Sequence, residues 1–250
     1  MKNPYLENLC KIEFVVTNAC TGKCKHCSEG EHPSRGERID PAIAADAVRR
    51  IAARYDIKTV MTFGGEPLLH TDAVYAIMAA ARDEGIEKRQ LITNGFFTRS
   101  REKIREVAHR LRECGVNDLL LSADAFHQET IPLSVVRIFI EEILRCDIPI
   151  RLSPAWLVSE EDENLYNQKT KKILAELSAL GVFAGAGNVI FPEGNAKKYL
   201  AAYFEKDSPK NPYEEDPKDV RCISFSENGD VLGRNIYKND IIEILESYQP

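Results

Sequence analysis

Short apolar runs of strand length alternate with longer stretches of helical periodicity along most of this chain. Runs of four to eight apolar residues bounded by turn formers are typical of buried strands, and apolar positions three and four apart predict a helix face. Asp40 followed by Pro41 is a helix N-cap with proline at the first helical position. Strands are predicted at about 11–17, 57–63, 89–93, 116–122, 148–153 and 182–191, and helices at about 41–55, 71–84, 101–114, 133–144, 168–180 and 240–248.

This alternation predicts an α/β fold in which helices wrap a parallel sheet. Six βα units are too few for a closed eight-stranded barrel, so we expect a partial, TIM-like (β/α)6 barrel. Residues 1–195 should form this core, and residues 196–250 a short C-terminal extension of a loop, a hairpin and a helix. The hairpin is expected to turn at Asn228 and Gly229. The polar segment 194–219 should lie over the barrel mouth or be mobile.

Composition narrows the class of protein. The chain has 250 residues, 44% of them hydrophobic, and no run of about 18 apolar residues for a membrane span. Its first residues lack the apolar region of a secretory signal, and an odd count of seven cysteines argues against a disulfide framework. We therefore expect a cytoplasmic protein with no membrane partner. A net charge of −6 offers no basic face, which makes nucleic acid a poor candidate substrate.

Three cysteines follow the first predicted strand with the spacing C-x3-C-x2-C, at Cys20, Cys24 and Cys27. Three thiolates can hold three irons of a four-iron cluster and leave the fourth iron free to bind a small molecule. The alternative is a zinc site with His26 or His32 as the fourth ligand. Zinc sites more often pair two distant C-x2-C units, and no second pair follows here.

A second motif, Gly64-Gly65-Glu66-Pro67, follows the second predicted strand. Paired glycines allow the backbone to approach a ligand closely, and the Glu66 carboxylate suits a ligand ammonium group. Alone, these four residues would read as a tight turn. After a cysteine motif, one helix and one strand, they indicate a ligand site.

Together these motifs resemble those of the radical S-adenosylmethionine (SAM) superfamily, over about residues 11–195. The resemblance implies that the three cysteines hold a [4Fe-4S] cluster and that SAM binds its open iron. It also implies that residues 64–67 bind the methionyl amino group and that His26 lies against the adenine. A low-potential electron donor such as flavodoxin or ferredoxin would supply the electron.

The tail of the chain resembles superfamily members whose C-terminal extension, of the SPASM or twitch type, binds additional iron-sulfur clusters and modifies peptides. Such extensions supply several cysteines, whereas this segment has only Cys222. We therefore expect no auxiliary cluster and a minimal extension.

Polar residues at the ends of the predicted strands are candidates for cofactor contacts, since these ends meet at one edge of a parallel sheet. Each also has a structural interpretation. Asn94 precedes a glycine in a turn signal, Ser and Asp commonly cap turns, and Arg151 is the alternative to Ser153 on the fifth strand. The candidates are Thr93, Asn94, Ser122, Asp124 and Ser153.

Two residues are candidates for catalysis on the substrate. His127 lies just beyond the fourth strand and can move a proton near neutral pH, although it could equally be a hydrogen-bonded loop histidine. Cys222 could bind metal or quench a carbon radical through its S–H bond, with an inert buried thiol as the alternative.

The tail resemblance favours an enzyme that abstracts hydrogen from a peptide, with a small metabolite as the other substrate class. A member that modifies nucleotides or small molecules and an activating enzyme for glycyl radicals remain open within the superfamily. Outside it, the alternative is a non-enzymatic iron-sulfur or zinc protein.

Overall fold

A computed structural model describes residues 3–204 and 209–250. The strands are β1 (Lys11–Val15), β2 (Thr59–Phe63), β3 (Lys88–Thr93), β4 (Asp118–Ser122), β5 (Ile150–Ser153), β6 (Ala155–Trp156), β7 (Asn188–Val189), β8 (Cys222–Phe225), β9 (Asp230–Val231) and β10 (Arg234–Asn235). Six of them form one sheet in the order β5-β4-β3-β2-β1-β8, and every neighbouring pair is parallel. The predicted α/β class with a six-stranded parallel sheet is confirmed.

Helices cover one face of this sheet. Their bounds are α1 (Pro41–Ala52), α2 (Thr71–Asp83), α3 (Arg101–Cys114), α4 (Leu133–Arg145), α5 (Leu165–Ser178), α6 (Gly194–Tyr199) and α7 (Ile241–Ser247). The Asp40 side chain accepts hydrogen bonds from the backbone N–H groups of Ala42 and Ile43 at the start of α1, as the Asp-Pro pair predicted.

The two faces of the sheet differ in burial. Ile12 and Phe14 of β1 are fully buried, whereas Glu13 and Val15, on the other face, are partly exposed. Because side chains alternate along a strand, this pattern means that helices pack against one face only. The second face, called here the inner face, remains open to a ligand.

The sixth strand of the sheet is not the predicted one. The segment 182–191 contributes only a bridge between Leu152 and Ala184 and the two-residue pair of β7 with β6. Gly185 and Gly187 interrupt this segment, and glycine weakens a strand interior because it has no side chain to pack. Gly187 also takes a positive φ of 72°, which a regular strand does not have.

Strand β8, from the predicted extension, fills the sixth position beside β1. The Phe225 ring stacks on Phe14 with centroids 4.7 Å apart. The predicted hairpin is present, but it lies later in the chain than predicted. Gly229 does form a tight turn, with its N–H donating to the Ser226 carbonyl, but the antiparallel pair is β9 with β10, after that turn.

The segment after residue 193 begins with α6. This helix contacts the loop that carries Cys20, Cys24 and Cys27, called here the cysteine loop. Residues 205–208 of the predicted mouth cover lie outside the described residues. Among the residues that are described, helices long and apolar enough to cross a membrane are absent.

Phe225→Ala is expected to lower the free energy of unfolding by about 3–5 kcal/mol, because it empties a fully buried aromatic site between β8 and β1. Urea unfolding followed by circular dichroism measures this change. Phe183→Ala, at a side chain that is 68% exposed, is the matched control and should change stability little. An equal, small effect of both substitutions would contradict the assignment of β8 to the central sheet.

Candidate functional site

The cysteine loop leaves the carboxyl end of β1 and folds back over the sheet edge. Cys20 and Cys24 are each 8% exposed and Cys27 is somewhat more open. All three thiols line one cavity of about 110 Å³. A single water needs roughly 10–15 Å³ of such space, so the cavity admits a group larger than a lone ion. Burial raises the pKa of all three thiols, to about 11 for Cys20.

Gly64 and Gly65 form the opposite wall of this cavity and touch the cysteine loop through backbone atoms. The Gly65 N–H donates to the Thr17 carbonyl at 2.9 Å, and the Glu66 N–H donates to the Ala19 carbonyl at 2.8 Å. A Cβ atom on Gly65 would lie 2.2 Å from the Ala19 oxygen. The glycines are therefore required for the close approach of the loop to the end of β2.

The Glu66 carboxylate is not among the groups that line the cavity, and its contact with a ligand ammonium stays a prediction. The side chain is fully buried and accepts hydrogen bonds from the Leu68 N–H, the Thr93 hydroxyl and the Asn94 N–H, at 2.7–2.9 Å. Its role in this structure is to tie the end of β3 to the glycine turn. Pro67 starts a short 3-10 helix behind it. Burial raises the pKa of Glu66 to about 7, against these hydrogen bonds, which lower it.

This raised pKa predicts a pH dependence of stability. Between pH 4.5 and about 7 the folded state holds a proton on Glu66 that the unfolded state has lost, so stability falls as pH rises through this window. The slope is at most about 1.4 kcal/mol per pH unit. Relative to Glu66→Gln, metal-free wild type should lose unfolding free energy across this window and stay level above it, as measured by urea unfolding. A difference that does not vary with pH would refute this.

The strand-end residues divide into two groups. Thr93, Asn94 and Ser122 line the cavity, and the Asn94 amide lies 3.6 Å from the Cys20 sulfur. Ser153 pairs in register with Ser122 on the inner face but is not among the residues that line the cavity. Arg151, the alternative to Ser153, is committed to an ion pair with Asp118.

Asp124 and the partly exposed His127 form a hydrogen-bonded pair beside the cysteine loop. The fully buried Asp124 carboxylate accepts from His127 Nδ1 at 2.8 Å and from three backbone N–H groups, of residues 126, 127 and 155. Burial would raise the pKa of Asp124, but the neighbouring imidazoles and these hydrogen bonds hold it well below its usual range. His127 is among the residues that line the cavity, whereas Asp124 is not.

His26 lies against this pair. Its ring centroid is 4.8 Å from that of His127 and 5.0 Å from that of Phe126. Burial lowers the pKa of His26 to about 4, which keeps the imidazole neutral. Its Nδ1 atom is buried and has no hydrogen-bond partner among the described residues. An orphaned polar atom at a cavity wall is what a missing ligand would leave.

Two further residues hold the cysteine loop and were not predicted in this role. Asn195, at the start of α6, donates from its side chain to the Cys24 carbonyl at 3.0 Å and from its backbone to the Cys27 carbonyl at 2.8 Å. His32 Nε2 lies 3.2 Å from the Cys27 sulfur. His32 was considered only as the fourth ligand of a zinc site, whereas nothing in the sequence pairs Asn195 with the loop.

Cys222 is not brought to this site. It lies beside Lys11, where β1 begins, whereas the cysteine loop starts beyond Val15, where β1 ends. Four residues of strand separate the two ends by about 13 Å. This distance contradicts Cys222 as a metal ligand at the cysteine loop, because β8 runs parallel to β1 and presents its first residue at the far edge. The quenching of a carbon radical by Cys222 stays a prediction.

Comparison with known protein families decides the class of this site. The sequence profile of the Radical SAM superfamily matches residues 14–146, just over half of the chain. This chain belongs to the radical SAM superfamily. That membership carries a [4Fe-4S] cluster and SAM as cofactors, and the sulfur donors, the cavity and the orphaned His26 nitrogen fit such a pair of groups.

Relatives of this radical SAM protein carry different functional names. It is 29% identical over 130 residues to GTP 3',8-cyclase of Aeromonas hydrophila, covering 48% of this chain and 36% of the cyclase. It is 27% identical over 146 residues to YydG of Bacillus subtilis, a protein named for peptide biosynthesis, covering 58% of this chain and 45% of YydG. The chain thus spans less than half the length of these curated relatives.

Solved structures share the fold of the radical SAM protein. SuiB of Streptococcus suis bound to S-adenosylmethionine superposes with a TM-score of 0.59 at 12% identity, covering 96% of this chain and 67% of SuiB. The protein anSMEcpe with bound AdoMet and the Cp18Cys peptide gives 0.58 at 16% identity, covering 93% and 75%. At these identities the likeness concerns the fold, and it supports the partial barrel.

Proposed function

We propose that Cys20, Cys24 and Cys27 hold a [4Fe-4S] cluster and that the cavity between them and Gly64–Gly65 takes SAM. The observation that carries this proposal is the meeting of three thiols and two glycine backbones on one cavity. When bound together, the cluster and SAM supply a 5′-deoxyadenosyl radical that takes a hydrogen atom from a substrate carbon.

The residues around the cavity have distinct proposed tasks. Thr93, Asn94 and Ser122 offer hydroxyl and amide groups to the polar parts of SAM, and the neutral His26 offers its unpaired nitrogen to the adenine. We assign Glu66 the task of fixing the glycine turn from behind. Ser153, next to Ser122 on the inner face, would contact the substrate rather than the cofactor.

His127 is proposed to move a proton for the substrate. Its Nδ1 hydrogen is held by Asp124, so the free position for a proton is Nε2. A carboxylate behind an imidazole fixes the tautomer and the ring orientation. The pair therefore has the geometry of a general acid or base at the cavity wall.

A peptide is the proposed substrate class, because this chain resembles YydG over 146 residues. The likeness to the cyclases favours a nucleotide as the second candidate. The charges favour the peptide, since a nucleotide triphosphate needs free cations. Lysine and arginine are absent from the described cavity lining, and the three cations on the described inner face are paired: Lys11 with Glu13, and Lys88 and Arg151 with Asp118.

The electron donor and the location of the protein are also proposals. We infer a low-potential donor of the flavodoxin or ferredoxin type, because the reductive cleavage of a sulfonium needs a strongly reducing cluster. A reducing, cytoplasmic compartment is supported by the seven cysteines, all of which are unpaired.

Anaerobic reconstitution followed by dithionite and SAM tests the proposal. We expect 5′-deoxyadenosine to be released, and deuterium to enter it when the substrate is a deuterated peptide. Deuterated nucleotides serve as the matched comparison. A protein that binds iron and sulfide but releases no 5′-deoxyadenosine would contradict the enzyme. Transfer of deuterium from a nucleotide alone would contradict the proposal that the substrate is a peptide.

A further inference from the structure

Three side chains that can bind metal converge at the cysteine loop. Two of them belong to the loop and the third lies beside it. Cys24, His26 and His127 place one ligand atom each within 4.8 Å of one another. Zinc binds sulfur at about 2.3 Å and histidine nitrogen at about 2.0–2.1 Å, so the three atoms would move closer together to share one ion. This set uses only one of the three motif cysteines, which distinguishes it from a cysteine knuckle.

Each of the two imidazoles has a nitrogen that makes no hydrogen bond to another described residue and is free to bind a metal. His127 donates its Nδ1 hydrogen to the fully buried Asp124, which leaves Nε2 as the nitrogen with a free lone pair. Histidine ligands of metals commonly have such a carboxylate behind them, and it raises the basicity of the ligand nitrogen. His26 Nδ1 is buried without a partner among the described residues.

Other histidines do not compete for this role. His32 uses Nδ1 toward the Asn18 carbonyl, and its Nε2 faces Cys27. One sulfur and two imidazole nitrogens suit Zn²⁺, whereas Mg²⁺ and Ca²⁺ prefer oxygen ligands. Three protein ligands would leave the fourth zinc position to water.

We propose that Cys24, His26 and His127 form a site for a single Zn²⁺ ion, with Asp124 as the carboxylate that orients His127. On binding, zinc replaces the thiol proton of Cys24, which passes to solvent, and no oxidation or reduction occurs. Because the site takes Cys24, zinc and the [4Fe-4S] cluster exclude each other. This exclusion, though not the zinc site itself, rests on the proposed function.

Titration of the metal-free full chain with Zn²⁺ against a chromophoric chelator tests the site. We expect one zinc per chain in wild type, and binding weaker by at least about 10–100-fold in His127→Ala and in Asp124→Asn. Cys20→Ala should keep the zinc affinity of wild type while losing the iron cluster. His109→Ala, at an exposed helix position, is the matched control and should change neither metal.

Cobalt makes the ligands visible in wild type, so the test does not depend on the folding of a variant. Co²⁺ should give a thiolate charge-transfer band and the strong visible bands of tetrahedral coordination. Absence of the thiolate band, unchanged zinc affinity in a folded His127→Ala, or loss of zinc in Cys20→Ala would overturn the site. Retention of zinc by protein that has assembled a full cluster would overturn the exclusion. Failure of cluster assembly alongside normal zinc binding would count against the proposed function only.

Discussion

Cys20→Ala is expected to reduce the release of 5′-deoxyadenosine from SAM to the level of cluster-free protein. Cys20 is one of three thiols on the cavity, and losing it leaves too few sulfur donors for a four-iron cluster. Enzymes accelerate reactions by about 10⁶-fold or more, so we expect the loss to exceed roughly 10³-fold. Chromatographic quantification of 5′-deoxyadenosine, together with iron and sulfide analysis, measures it.

Cys222→Ala is the matched control for this prediction. It removes a thiol of the same kind from the opposite edge of the sheet, beside Lys11. We expect this variant to retain both iron and 5′-deoxyadenosine release. Equal losses of iron and of 5′-deoxyadenosine release in the two variants would mean that cysteine content in general, rather than the cysteine loop, determines cluster assembly.

Gly65→Ala should have the second largest effect. The new methyl group would lie 2.2 Å from the Ala19 carbonyl oxygen and 3.0 Å from that of Asn18, and both are backbone atoms that cannot rotate away. Overpacking of this kind costs about 1–3 kcal/mol, and here relief requires the cysteine loop to move off β2. We expect iron content per chain to fall severely and urea unfolding to occur at lower denaturant.

Gly36→Ala provides the comparison. Gly36 faces the same Ala19, but a Cβ there would meet its methyl group at 3.4 Å, an ordinary contact, and its φ is not in the left-handed region. This variant should bind iron normally. If Gly65→Ala also bound a full complement of iron, the contact between the glycine turn and the cysteine loop would not be needed for the cluster.

The central sheet could be predicted because its signals are local. Strands β1 to β5 follow from short apolar runs, and the helices between them begin at caps such as Asp40-Pro41. Strand β8 could not be predicted in the same way, because its place beside β1 depends on packing of Phe225 on Phe14, more than 200 residues earlier. The turn at Gly229 was recognised, but a turn signal does not reveal which strands it joins.

The candidate site shows the same division. The C-x3-C-x2-C and glycine motifs identify the cavity because each is contiguous in sequence. The direction of the Glu66 carboxylate depends on donors from the end of β3, and the support of the loop by Asn195 comes from a residue 171 positions after Cys24. The spacing of Asp124 and His127 is a local signal for their hydrogen bond, and could have been used.

In the proposed site the protein leaves one iron of the cluster without a side-chain ligand, and SAM binds there. Mössbauer spectroscopy of the ⁵⁷Fe-reconstituted protein, with and without SAM, distinguishes this iron from the others. We expect SAM to change the spectrum of one iron in four and to leave the other three unchanged. Four iron sites that are indifferent to SAM would contradict this expectation.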